Sequence, residues 1–124
     1  MFRLDPLSGI PIYEQLAEQV EKLIVAGVLK ANDKLPSVRT LSVELSVNPN
    51  TISRAYNDLC AKGVIYSIAG KGCFVCENVD DIRRLSTEKL MDDLRGILRE
   101  LRKAGIGKAE ITDETNRIFE EEII

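Results

Sequence analysis

Apolar residues along this chain fall mostly three and four positions apart, the spacing of one helix face, in blocks set off by glycine, proline and asparagine. The first block, Ile12, Tyr13, Leu16, Val20, Leu23 and Ile24, is interleaved with Glu14, Gln15, Glu18, Glu21 and Lys22. It predicts an amphipathic helix that follows a proline- and glycine-punctuated arm, Pro6 to Pro11, and ends at Gly27. Tyr13 on that stripe reads as a core aromatic. Between Leu35 and Leu59 two helical patterns stand only a few residues apart. Val38, Leu41 and Leu45 make the inner stripe of the first, with Ser37 as its N-cap and Arg39, Thr40 and Glu44 facing elsewhere. The second opens at Asn48 and Pro49, a capping side chain before a proline at the first helical position, where no backbone N–H is missed. Ile52, Ala55, Tyr56 and Leu59 then turn inward, which leaves Asn50, Thr51, Ser53, Arg54 and Asn57 outside. Together the two patterns predict a helix-turn-helix.

Lys62 and Gly63 close the second helix, and the pattern changes to a β-branched run, Val64 to Ile68. A turn at Ala69-Gly70-Lys71-Gly72 leads into a second short strand, Cys73 to Cys76, so the motif is followed by a hairpin with Gly-Lys-Gly at its tip. That is the pattern of a winged helix. Upstream, Val28 to Pro36 reads as a loop with a turn at Asn32-Asp33. Past Cys76 the charge and period change, and a boundary near Glu77 to Asp80 divides the chain into domains 1–76 and 77–124. Ile82, Leu85, Leu90, Leu94, Ile97, Leu98 and Leu101 predict one long helix from Val79 to Lys103, or two with a break near Ser86. Gly105 stands as its left-handed cap with Ile106 as the apolar contact beyond, and a last helix from Lys108 carries Ile111, Ile118 and Phe119.

The expected fold class is mainly α with a small β-hairpin: an N-terminal winged helix-turn-helix followed by a C-terminal two-helix hairpin. A hairpin of roughly forty residues lacks the core to bury both its stripes. The winged helix of the same chain could cover it, or the same hairpin of a second chain. The second is favoured because pairing of such stripes is the usual solution, and it assigns Leu90, Leu94, Ile97, Leu98, Leu101, Ile118 and Phe119 to dimerisation. The Arg83-Arg84 pair and the run Glu120 to Glu122 read as solvated faces.

Composition narrows the function. The formal charge of −3 argues against a nonspecific nucleic-acid binder with a basic body. The basic charge is local instead: Lys30, Lys34, Arg39, Arg54, Lys62 and Lys71 face only Asp33, Glu44 and Asp58 between Lys30 and Cys76. That suits a sequence-specific binder with a limited footprint. Three cysteines and no histidine give no secreted-disulfide framework and point to a reducing cytosol. Cys73 and Cys76 have a metal-like spacing, yet a separation of three on a strand puts them on opposite faces and no second pair completes four ligands. No metal or cofactor is expected. The start lacks an apolar signal core and no run approaches membrane-spanning length, so a cytoplasmic protein without a membrane partner is expected.

These features meet in a resemblance. Lys34-Leu35-Pro36-Ser37-Val38-Arg39, Asn48-Pro49-Asn50-Thr51-Ile52, Arg54-Ala55-Tyr56, Leu59, Gly63 and Gly70-Lys71-Gly72-Cys73-Phe74-Val75 are similar to the GntR transcription regulators. The match runs roughly from Pro11 to Val75, and the short remainder resembles the small YtrA-like subfamily. Ser46 stands where that family usually has glycine between the helices, and Cys73 where it usually has a small residue such as threonine. The resemblance also implies that the segment before Pro36 holds a short strand pairing with the wing.

Taken with the residue pattern, this predicts a homodimeric regulator, a bacterial repressor by resemblance, binding a double-stranded DNA operator built as an inverted repeat. Arg39 is placed to read a guanine edge or grip a phosphate, and Ser37 with the free N–H groups of its turn to bind a phosphate oxygen. Asn48, Asn50, Thr51, Ser53 and Arg54 are candidates for base edges and flanking phosphates, although Asn48 also reads as a cap only. Lys71 between Gly70 and Gly72 is placed to reach the minor groove. Tyr56 either bonds a phosphate or supports the core. A protein-docking module is the rival of another class, and the polar recognition face with Gly-Lys-Gly argues against it. No nucleophile motif or glycine-rich phosphate loop suggests an enzyme, and no convergent polar residues mark a small-molecule effector site.

Overall fold

In the computed structural model, which describes residues 2–122, the elements follow in the order α1 (Ile12–Val25), α2 (Val38–Leu45), α3 (Pro49–Ala61), β1 (Ile65–Ile68), β2 (Gly72–Val75), α4 (Val79–Lys103) and α5 (Lys108–Glu120). The chain is mainly helical with one two-stranded antiparallel sheet, a winged helix-turn-helix followed by two helices, as its periodicity predicts. α4 runs without a break through Ser86.

Leu16, Val20 and Ile24, four residues apart on α1, have no exposed surface and pack on the inner stripe of α3, where Ile52, Ala55 and Leu59 are also fully covered. Leu41 joins them from α2 at 1% exposure. In the hairpin Ile65 lies opposite Val75, and both close the core from below. The next pair, Tyr66 and Phe74, points to the other face, where the two rings stack with centroids 5.5 Å apart. The segment before Pro36 runs beside β2: Lys34 bridges Phe74, Leu35 N–H donates to the Cys73 carbonyl (2.9 Å), and Asn32 and Asp33 exchange hydrogen bonds with Val75. The short strand implied by resemblance is thus present as a single bridge.

The arm before α1 is fastened by two glutamines. Gln15, buried at 9% exposure, accepts from Asp5 N–H (2.8 Å), while the two protons of its Nε2 are shared among the Asp5 carbonyl (2.8 Å), the Ser8 hydroxyl (2.9 Å) and the Ile10 carbonyl (2.8 Å). Gln19 accepts from Arg3 N–H and donates to the Arg3 carbonyl. Arg83, expected on a solvated face, is instead half-buried. Its Nε donates to the Val25 carbonyl (3.1 Å) and Nη2 to the Ile24 carbonyl (3.5 Å). The last carbonyls of a helix have no partner within it and carry partial negative charge, so a cation there is favoured. Arg84 pairs with Asp81 on the exposed side (3.8 Å).

Contacts divide the chain into two compact units, one ending at Ser86 and one beginning at Thr87. In the second, neither helix buries a residue, and Leu94, Ile97, Leu98 and Leu101 face Ile106, Ile111, Ile118 and Phe119 across an open groove of ≈ 570 Å³.

The ends of α1 to α4 share one device: a left-handed residue with a 6→1 and a 5→2 backbone hydrogen bond. It stops α1 at Gly27, α3 at Gly63 and α4 at Gly105. α2 ends the same way, with Val47 N–H to the Ser42 carbonyl and Ser46 N–H to the Val43 carbonyl, but the left-handed residue is Ser46 at φ 54°. A Cβ crowds the following carbonyl in that conformation. Ser46→Gly is therefore expected to raise the unfolding free energy by about 0.5–1 kcal/mol, read from urea denaturation midpoints at unchanged slope.

Candidate nucleic-acid interface

Ser37 caps α2: its Oγ accepts from Thr40 N–H (3.0 Å) and its proton goes to Thr40 Oγ1 (2.8 Å). The side chain is thereby occupied, and the N–H groups of Val38 and Arg39 are what this turn can present to an anion. Arg39 lies in the first turn and is exposed. Asn48 caps α3, its Oδ1 accepting from Asn50 N–H (2.8 Å) ahead of Pro49 at the first helical position. The amino half of its amide remains free to donate to another partner.

Along the outer side of α3, Asn50, Arg54 and Asn57 are exposed and Thr51 and Ser53 half-exposed. Side chains of this length keep a helix close to a surface it docks against. Tyr56 does not belong to that set. It is 3% exposed, and its hydroxyl donates to the Pro36 carbonyl at 2.7 Å. Burial first, and the neighbouring Cys73 second, push the phenol's pKa well above its ordinary value. The structure moves Tyr56 from the candidate interface to the support beneath it, where it holds the turn that precedes Ser37. Its place in the i, i+3, i+4, i+7 stripe was the signal for this.

Arg54 does not stand free. Its guanidinium lies over the ring of Tyr13, 3.8 Å from the centroid, and Nη2 donates to the Tyr13 hydroxyl at 3.1 Å. Tyr13 is correspondingly half-buried, packed against the core as well as under Arg54. Periodicity marked Tyr13 as inward and could not show this second contact.

The wing tip is a turn closed by Lys71 N–H to the Ile68 carbonyl (2.9 Å), with Gly70 at φ 77° in the third position, where a positive φ is required. Gly70, Lys71 and Gly72 are all exposed. Lys34 crosses this site: its Cε lies 3.3 Å from where a Cβ on Gly72 would sit. A second basic chain thus runs beside the wing, brought there by the bridge to Phe74. Cys73 lies beside Cys60, whose thiol pKa is raised by burial and then by Cys73, while Cys76 is buried. No group of three or more metal-ligating side chains occurs among the described residues. No described helix is long and apolar enough to cross a membrane.

The interface can be set beside known proteins. Residues 12–75 match the model of the gntR family of bacterial regulatory proteins. The chain is 45% identical over 78 residues to the HTH-type transcriptional repressor YtrA of Bacillus subtilis, across 63% of this chain and 60% of that protein, so it spans well under two thirds of that relative's length. A solved transcriptional regulator from Oenococcus oeni, 34% identical, superposes with a TM-score of 0.78 over 96% of this chain and 99% of its own. AraR(DBD), solved in complex with operator ORX1, is 33% identical with a TM-score of 0.54 over 61% of this chain and 93% of its own.

The buried phenol makes a separable prediction. Tyr56→Phe leaves the Pro36 carbonyl without its donor, and the unfolding free energy is expected to fall by about 1–3 kcal/mol, measured by chemical denaturation.

Proposed function

Because the chain belongs to the gntR family of bacterial regulatory proteins, we propose that it is a transcriptional repressor that binds an inverted-repeat DNA operator as a homodimer in the bacterial cytoplasm. The observation that carries this reading is the outer face of α3, short-chained and polar, with exposed Arg39 before it in the chain and the Gly70-Lys71-Gly72 tip after it. In this reading α3 lies in the major groove, where Asn50, Thr51 and Ser53 meet base edges. Arg39 forks onto a guanine edge, and Arg54, Asn48 and the N–H groups after Ser37 take flanking phosphates. Lys71, with Lys34 beside it, reaches the backbone or the minor groove, and the flanking glycines allow close approach.

A body charge of −3 is compatible with this, since the contacts are local and the remaining surface repels nonspecific DNA. Homodimerisation is assigned to domain 77–124. Leu90, Ile97, Ile118 and Phe119 are 62%, 54%, 52% and 84% exposed, and together with Leu94, Leu98 and Leu101 they form an apolar surface too large to stand in water. A second copy covers it and links two winged helices, which multiplies affinity through effective concentration rather than new contacts.

Arg39→Ala is expected to weaken operator binding by about 1–3 kcal/mol and nonspecific binding by less. Equal losses on both DNAs would make Arg39 a phosphate clamp. Lys71→Ala should lower the slope of log affinity against log salt by about one unit, and an unchanged slope removes the wing from the interface. Leu94→Glu with Leu101→Glu is expected to sediment as a monomer and to bind the full operator only weakly. A parent chain that is monomeric, or a variant that binds as tightly as the parent, overturns the dimer.

A further inference from the structure

We propose that Tyr13 is a positioning residue that holds Arg54 ready for DNA, a role that rests on reading α3 as the DNA-facing helix. The two residues lie 41 positions apart on different helices. The guanidinium carbon is 3.8 Å from the ring centroid, well inside the range in which a cation is attracted to a ring face. The Tyr13 hydroxyl accepts from Arg54 Nη2 (3.1 Å) and donates to Glu14 Oε1 (3.2 Å), so it is used in both directions and its orientation is set. Tyr13 is also half-buried and packed against the core, which restricts the freedom of the ring.

Arg54 itself stays exposed, one position from Ser53 on the outer side of α3. A guanidinium carries five N–H donors, and the contact with the Tyr13 hydroxyl engages one of its nitrogens while leaving most of those donors for a phosphate. The platform is a ring and a hydroxyl rather than a carboxylate: the Glu14 carboxylate lies beyond the Tyr13 hydroxyl, and among the described residues no ion pair engages Arg54 directly, so a phosphate can still pair with it. A free arginine would lose most of its rotamer freedom on docking, and one already stacked loses less. The same stack ties the helix that opens the fold to the helix assigned to DNA, at the one long basic side chain of that face.

A double-mutant cycle on an operator selected from a random DNA pool tests this, with the parent, Tyr13→Leu, Tyr13→Phe, Arg54→Ala and Tyr13→Leu/Arg54→Ala titrated by band shift. Tyr13→Leu is expected to weaken binding about threefold to tenfold per half-site, and Tyr13→Phe, which keeps the ring, by about twofold or less. In the Arg54→Ala background Tyr13→Leu should add no further loss. In the free protein, Arg54 side-chain NMR signals should be displaced by the ring current, and Tyr13→Leu should abolish the displacement. Equal losses from Tyr13→Leu in both backgrounds, or tighter binding on removal of the ring, overturn the role while leaving DNA binding intact. Arg54 signals in the parent at the position of a free arginine overturn it too, without need of any variant. A parent chain that selects no DNA overturns the underlying reading and the role with it.

Discussion

The burial of α3 against α1 is the constraint on which everything else in the first unit depends. A helix with one apolar stripe can hide only that stripe, and hiding Ile52, Ala55 and Leu59 under Leu16, Val20 and Ile24 decides which side of α3 looks outward. Each of the leucine, isoleucine and valine side chains among them contributes about 1.5–3 kcal/mol when fully covered. A cap contributes about 1 kcal/mol. Packing therefore orients the helix and capping only locates its ends. The polar outer side is the complement of a core that permits no other rotation.

The caps nevertheless shape the chemistry of the site. Ser37 and Asn48 spend their acceptor atoms on backbone N–H groups of the helices they open. Each turn still offers donors: backbone N–H groups at the start of α2 and the amino half of Asn48. Donors suit an anionic partner. Tyr56 completes the arrangement from beneath, since its hydrogen bond to the Pro36 carbonyl pins the segment from which α2 departs. The wing is tied to the same place through the hydrogen bonds that join Asn32, Asp33 and Leu35 to β2.

The second unit obeys different physics. α4 carries surface ion pairs such as Arg95 to Asp92 at 2.6 Å, half-exposed on one side and largely exposed on the other, and pairs of that kind add little to a helix in water. Helices of this length draw most of their stability from an apolar face that is covered. Here the face is formed, aligned across a groove between α4 and α5, and none of the described residues of either helix is buried. The contrast with the first unit, whose core is closed by residues of its own, is the physical motive for placing a second copy there.

Residues close in sequence decided most of the architecture. Spacing of three and four, a proline after asparagine, glycines after the last apolar residue of a block and a β-branched run before Gly-Lys-Gly were enough for the helices, their ends and the hairpin, because each depends on neighbours within one turn. The candidate face of α3 was legible for the same reason: it is what remains when the inner stripe is removed. Contacts between distant residues were not legible, since periodicity tells which side a residue faces and not what it meets there. The tertiary structure alone placed Arg54 on Tyr13, Lys34 beside the wing, Arg83 on the last carbonyls of α1 and Tyr56 under Pro36. In each case a long side chain crosses between elements, and its reach, fixed by how those elements pack, chose the partner.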